Sequence, residues 1–404
     1  MKVLFLTMTN LKSLQGRSLY VDLLNYFKKQ GHDVFVVSPN ERRFKEKTVL
    51  RKEKGASILN VKTLNLKKTS AIEKGVGQLL VEYQYLNAIK KYFNDIKFDL
   101  ILYSTPPITF YKVINYIKKR DNAYAYLLLK DIFPQNAVDM KMLKKNGLLH
   151  RFFLKKEIEL YHISDGIGCM SEANKEYVLK HNSSISAEKV EVNPNTILPQ
   201  LLSYKEVDSQ LTRKKYGLPI GKKIFLYAGN IGVPQGIEFL LETISNSNDE
   251  NAFFLVVGAG TQYSKVASWF DINKPENAKL FTRLEKSDYD ALAAACDVGM
   301  IFLHKDFTIP NFPSRLLSYL EMSMPVLAAT DRNTDIGKVI SNANCGFWVE
   351  SGNIDGMLNG INRICSDGDL YQRMKLNSMK LLMENYTVDK SYNSIANRLQ
   401  IKTI

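Results

Sequence analysis

The sequence predicts an α/β protein built from two doubly wound, Rossmann-like domains, and three observations carry that prediction. The chain has 404 residues, more than one ordinary hydrophobic core organises. Short apolar runs alternate along its length with amphipathic helical patterns, as in parallel sheets covered by helices on both faces. The alternation restarts once, after the prolines at 194 and 199.

The first series opens with the apolar run Val3–Leu6. "SLYVDLLNYFKKQG" follows, where Tyr20, Leu24 and Phe27 share one helical face and Gly31 supplies the stop. Val34–Val37, Leu100–Tyr103, Ala125–Leu129, Gly166–Met170 and Val190–Val192 continue the strands. An interdomain linker is expected near Leu198–Ser209. The second series is Ile224–Tyr227, Phe253–Val257, Val298–Phe302 and Val326–Ala329, each followed by helical sequence. This gives an N-terminal domain over 1–200 and a C-terminal domain over 201–386. A ligand is expected in a central cleft that the two domains face.

The four cysteines (Cys169, Cys296, Cys345 and Cys365) are scattered without a C-x-x-C pair, which fits a reducing compartment and argues against structural zinc. "SDGDL" at 366–370 spells D-x-D, and a turn with a helix cap explains it better than a metal site. No apolar run reaches the ~18 residues of a membrane span. "MKVLFLTMTN" reads as a first buried strand rather than a leader.

The net charge of +14 is unevenly placed. Residues 1–200 hold 33 Lys+Arg and 19 Asp+Glu, which is +14; the rest, 55 − 33 = 22 against 41 − 19 = 22, is neutral. Glu41–Lys68 carries ten bases and three acids, either a solvated loop or an anion-facing surface. "KMLKKNGLLHRFFLKK" (Lys141–Lys156) interleaves bases with Leu and Phe and reads as an interfacial patch for an anionic membrane. Nucleic acid is not expected as a partner. Its binding needs aromatics interleaved with bases on an exposed sheet, and here the aromatics fall at buried positions.

Two glycine turns follow strands in the second half. "FLYAGNIGVPQGIEFLLE" places Gly229, Gly232 and Gly236 between a strand and a helix, and "FFLVVGAGTQYSKV" repeats the device with Gly258 and Gly260. Glycine there admits close approach of backbone amides to a phosphate. Downstream, "FPSRLLSYLEMSMPVLAATD" starts a short helix with Pro313 and Ser314, Ser314 being the expected N-cap. Arg315 then lies in the first turn, near the exposed end, where a cation opposes the helix dipole unless an anion sits beside it.

Taken together, "YAGNIGVPQG", "VVGAG", "LEKSDYDALAAACDVGMIFL" and "FPSRLLSYLEMSMPVLA" resemble the family 4 glycosyltransferases of GT-B architecture, and among them bacterial aminosugar transferases of O-antigen and capsule synthesis. "LLLKDIFPQNAVDM" is similar to their "RDIWPES" segment, and "LQGRSLYVDLLNYFKKQGHDVFVVSP" to their first strand–loop–helix, with Gly16 as its one retained glycine. The resemblance implies a nucleotide-sugar donor, UDP-linked, held by the C-terminal domain, and a lipid-linked or glycan acceptor held by the N-terminal one. It implies a retaining transfer without metal or cofactor, at the cytoplasmic face of the cell membrane. It also implies that residues 387–404 cross back onto the N-terminal domain.

The residues matching the family's donor-binding pattern are Gly16, Gly229, Asn230, Gly232, Gln235, Gly258, Gly260, Arg283, Lys305, Pro313, Ser314 and Ser318. Several depart from it. The family's two glutamates fall at Pro310 and Ser318, leaving Glu321 one turn on as a substitute, and its basic pair falls at the neutral Asn230 and Gln235. The diphosphate then rests on Arg315, with Lys305 in reserve. Ser323 replaces a glycine at the helix exit, costing ~1 kcal/mol of backbone strain. Arg315 and Asp131 are the candidate catalytic residues: Asp131 follows a strand end, where it orients the acceptor, acts as its base, or caps neighbouring backbone. Two other function classes stay open, a nucleotide-sugar epimerase of the same architecture and a non-enzymatic basic binding protein.

Overall fold

The computed structural model describes residues 1–66, 69–200 and 207–402, so much of the expected linker, 201–206, lies outside the described residues. The chain divides into two compact units, Met1–Ile197 with Val388–Ile404, and Leu198–Thr387. In the first unit the strands are β1 (Lys2–Leu6), β2 (Asp33–Glu41), β3 (Val49–Glu53), β4 (Ala56–Thr63), β5 (Leu100–Ser104), β6 (Tyr124–Leu129), β7 (Gly166–Cys169) and β8 (Val190–Val192). They form one sheet in the order β3-β4-β2-β1-β5-β6-β7-β8. Every pairing is parallel except β3 with β4. β5, β6 and β7 are buried at every position, which is why they read as continuous apolar runs rather than alternating ones.

The hairpin of β3 and β4 corrects the loop reading of Glu41–Lys68. Ile58, Leu59 and Val61 are buried in β4, and Gly55 turns the hairpin at φ +70°. Lys52, Lys54 and Lys62 of the hairpin are exposed beside the sheet edge, where charge also discourages further strand pairing; Lys67 and Lys68 lie outside the described residues. The last helix, Val388–Lys402, belongs to this unit. Its Val388 and Ile395 share a core with Phe27, Leu24 and Val36, and the Tyr392 ring meets Phe27 edge-on at 4.8 Å.

The second unit holds β9 (Lys223–Asn230), β10 (Ala252–Ala259), β11 (Ala278–Phe281), β12 (Val298–Phe302), β13 (Val326–Thr330) and β14 (Gly346–Glu350). Their order is β11-β10-β9-β12-β13-β14, parallel throughout. Strand order reverses between β9 and β12. In such sheets ligands bind at the carboxyl ends beside that reversal. The side of the sheet facing Ile237–Asn246 buries Phe225, Tyr227, Phe254 and Phe302 against Phe239, Leu240 and Ile244.

Candidate functional site

A cavity of about 710 Å³ opens over the carboxyl ends of β9 and β10 and the segment after β11. It is lined by Ala228, Gly229, Asn230, Val257, Gly258, Ala259 and Arg283–Lys286 with Tyr289. That size suits a nucleotide. Gly229 and Gly258 are paired in register across β9 and β10. A Cβ on Gly258 would lie 2.0 Å from the Gly229 carbonyl oxygen, and one on Gly260 2.1 Å from that of Ile231. Gly258 is therefore demanded by the close pairing of β9 and β10, and Gly260 by the close approach of the segments just beyond them. Their expected part in admitting a ligand is secondary to that packing.

Gly229 differs. Its φ of +131° suits glycine alone, and a Cβ there would sit 3.3 Å from a guanidinium nitrogen of Arg315. The missing side chain makes room for the arginine, whose Cζ lies 4.6 Å from the centroid of the Tyr227 ring. The Tyr227 hydroxyl donates to the Asn230 carbonyl at 2.7 Å and is within hydrogen-bond reach of the guanidinium. Burial works against the arginine's charge, but the phenol oxygens of Tyr227 and Tyr319 outweigh it and hold its pKa above the ordinary value. Nη1 of Arg315 is buried without a hydrogen-bond partner, the one cationic nitrogen so placed among the described residues.

This pose corrects two expectations. Arg315 does begin its helix, Arg315–Glu321, but its side chain folds back beneath Gly229 instead of standing at an exposed end. Ser314 is exposed, has helical φ and ψ, and makes no capping bond. Tyr319 fixes the helix instead: its hydroxyl accepts from the Ala228 amide at 3.2 Å and donates to the Met300 carbonyl at 3.1 Å. Its ring packs on Gly299, where a Cβ would lie 2.2 Å from the ring. One tyrosine thus ties the arginine's helix to β9, β12 and the cavity wall.

The other expected donor residues divide. Gly229, Asn230, Gly258 and Arg283 line the cavity. Gln235 stands just beside it, its Oε1 accepting from Asn230 Nδ2 at 2.7 Å across Gly232. Arg315, Gly232, Gly260, Lys305, Pro313, Ser314 and Ser318 are not among its lining residues, and Lys305 is exposed. Glu321 is buried, and its Oε1 accepts from the backbone amide of Gln200 at 2.7 Å. That bond occupies it with holding the chain's entry into this unit, away from the cavity lining. Gly16, at φ +91°, lies in the exposed loop after β1 of the other unit. Ala228, Leu284–Lys286 and Tyr289 line the cavity without having been singled out; their one sequence signal was position, just before the glycine turn and just after Arg283.

Asp131 lies two residues beyond β6, where its carboxylate accepts both contacts of Asn136 Nδ2, at 2.7 and 2.8 Å. Burial pushes this carboxyl up to about 6, against the pull of Asn136. The Thr105 hydroxyl accepts from the Lys130 and Asp131 amides at 3.0 Å each, fixing the turn. Two neighbours escaped the sequence reading. Burial takes Lys130 down to about 7, with Nζ donating to the Asn193 carbonyl at 3.3 Å. Glu157, on the helix Leu148–Ile163, is pushed up to about 7 by burial and accepts from the Tyr161 hydroxyl at 2.8 Å. Three perturbed groups thus gather at the carboxyl end of β6, as functional sites often do. The Asp367 carboxylate caps the next helix through the Leu370 amide at 2.8 Å.

Residues 208–381 match the family described as glycosyl transferases group 1. Over 300 residues the chain is 22% identical to the probable glycosyltransferase WbjE of Pseudomonas aeruginosa, covering 74% of this chain and 73% of that one. It is 24% identical over 205 residues to the putative colanic acid biosynthesis glycosyl transferase WcaI of Escherichia coli K12, covering 50% and 49%. Among solved structures, Anabaena HepE in complex with UDP superposes with a TM-score of 0.68 at 16% identity, over 99% of this chain and 100% of that one.

Proposed function

We propose that this chain, whose residues 208–381 match the glycosyl transferases group 1 family and whose fold is that of GT-B glycosyltransferases, is a glycosyltransferase whose donor is a UDP-linked N-acetylaminosugar. The acceptor is a lipid-linked or polysaccharide chain in surface polysaccharide synthesis, and transfer retains anomeric configuration without metal. The observation that carries the reading is the buried, partnerless Nη1 of Arg315, packed behind Gly229, itself a residue of the cavity lining.

A departing nucleoside diphosphate gains negative charge, and a fixed cation in a dry site stabilises that charge as it develops. Arg315 is such a cation: Tyr227 holds its plane and Tyr319 holds its helix. Arg283 to Lys286 and Tyr289 form the wall opposite the glycine turns, where a base and ribose fit. The UDP bound by HepE supports the choice of nucleotide, and the colanic acid biosynthesis role in the name of WcaI supports the acceptor class. Asp131 orients the acceptor hydroxyl in the N-terminal unit, and its raised pKa suits proton exchange near neutrality.

Calorimetry with UDP-, GDP- and TDP-sugars tests the donor, and NMR of the product's anomeric proton tests retention. Tighter binding of a UDP-sugar, unchanged by a chelator, together with an unchanged anomeric configuration, is expected. Preference for GDP or TDP, inversion, or loss of transfer with chelator overturns the matching part.

A further inference from the structure

The helix Leu148–Ile163 presents two chemically distinct faces. Its inner face carries Glu157 and Tyr161. Its outer face, with Tyr111 at the start of the helix Tyr111–Asp121, walls an open groove of about 480 Å³ lined by Leu154 and Ile158 and rimmed by Arg151, Lys155, Glu159 and His162. The surface inside is hydrocarbon almost throughout. Glu159 is engaged by Lys156 at 2.8 Å. Arg151 and Lys155 carry no ion pair among the described residues. Leu148, Arg151, Lys155 and Ile158 follow one another at helical spacing along one face. Leu148 is 87% exposed and Leu149 63%.

We propose that this groove holds the hydrocarbon chain of the lipid-linked acceptor, with Arg151 and Lys155 on the phosphate that joins chain to sugar. The assignment rests on the reading above that the acceptor is lipid-linked, and it chooses that alternative over a free polysaccharide. A hydrocarbon fits because it brings no polar groups to leave unsatisfied in an apolar trough. A polypeptide would bring a backbone amide and carbonyl at nearly every residue. The phosphate fits because Arg151 and Lys155 stand exposed at the rim with no ion pair among the described residues. The groove's size falls in the usual range for small-ligand sites. The exposed Leu148 and Leu149, about one turn before Arg151 on the same helix, offer a bilayer surface an apolar contact near the groove.

The probe is a long-chain prenyl phosphate bearing a mid-chain diazirine, compared with the same phosphate on a butyl chain and with a diazirine-labelled neutral phospholipid. The full-length protein is irradiated with each, and labelled peptides are mapped. Labelling of Tyr111 or the 154–158 segment by the prenyl probe, competed by unlabelled prenyl phosphate and weak with the neutral lipid, is expected. Labelling elsewhere, or equal labelling by the neutral lipid, overturns the proposal whether or not the protein is active. Leu154→Gln with Ile158→Gln, both at partly solvated positions, supplies the kinetic arm. Its KM for a long-chain acceptor should rise about tenfold while kcat, donor KM and transfer to a short-chain acceptor stay unchanged. An equal effect on both acceptors, or none on either, also overturns it. Failure of every lipid-linked acceptor to be glycosylated by wild type, with the groove still labelled, would count against the acceptor reading instead.

Discussion

The guanidinium of Arg315 stacks on the ring of Tyr227 at 4.6 Å, beneath a glycine whose Cβ would press against it. The pair joins the helix after β12 to β9 on the two sides of the strand reversal. A cation fixed there by an aromatic face loses little rotamer freedom on meeting an anion.

Arg315→Ala is expected to weaken donor binding and turnover about tenfold to a hundredfold, since a charge-assisted bond contributes roughly 1.5–3 kcal/mol. Arg315→Lys should recover little of this, because a lysine neither stacks nor reaches in a planar fork. Calorimetric nucleotide titration with steady-state kinetics measures both, and circular dichroism checks the fold. Wild-type donor affinity with wild-type turnover in Arg315→Ala would remove Arg315 from the reaction.

Much of this site was legible in sequence, and particular residues show where legibility stopped. The turns at Gly229 and Gly258 follow buried strands, so their place at the sheet's carboxyl edge follows from strand-to-helix order alone. The direction of the Arg315 side chain depends on a partner 88 positions away, which no local pattern displays. Glu321 kept helical register with Ser318, but register does not say that the Gln200 amide claims its carboxylate. β3 hid behind its charges because it is an edge strand without a fully buried position. Lys130 and Glu157 owe their shifted protonation to burial, a property of assembled structure.

Ser323 was legible from the family resemblance, since it stands where a glycine usually lets the chain turn left-handed out of the helix. It does so at φ +55°, and its amide donates to the Leu320 carbonyl at 3.0 Å. A non-glycine residue there is strained, so Ser323→Gly should stabilise the protein by about 0.5–1 kcal/mol. Urea unfolding gives the number. A midpoint unchanged or lowered would mean that the serine side chain makes compensating contacts.

Membrane attachment is expected through the basic half. Met142, at 78% exposure, joins Leu148 and Leu149 among the lysines of 141–156. Each cation near an anionic surface contributes about 1 kcal/mol, screened by salt. Cosedimentation with anionic vesicles should therefore be strong at low salt and weak at high salt, and Leu148→Ser with Leu149→Ser should reduce it further. Equal binding to neutral vesicles, or none to anionic ones, sinks the idea. Among the described residues no helix is long and apolar enough to cross a membrane.

The cluster at the end of β6 makes stability depend on pH in two opposed directions. Asp131 and Glu157 have folded pKa values of about 6 and about 7, above their unfolded values near 4. Between those limits the folded state binds more protons than the unfolded one, so these two carboxyls make stability fall as pH rises from about 4 to about 7. Lys130 runs the other way, with a folded value of about 7 and an unfolded one near 10.4. Over that higher window the unfolded state holds the extra proton, and stability rises with pH. The contribution of the three groups is therefore lowest near pH 7. Denaturant unfolding at intervals from pH 5 to pH 9 should show the descending limb shrink in Glu157→Gln and the rising limb shrink in Lys130→Met. If both variants keep the wild-type profile, these groups are solvated in the folded protein and titrate at ordinary values.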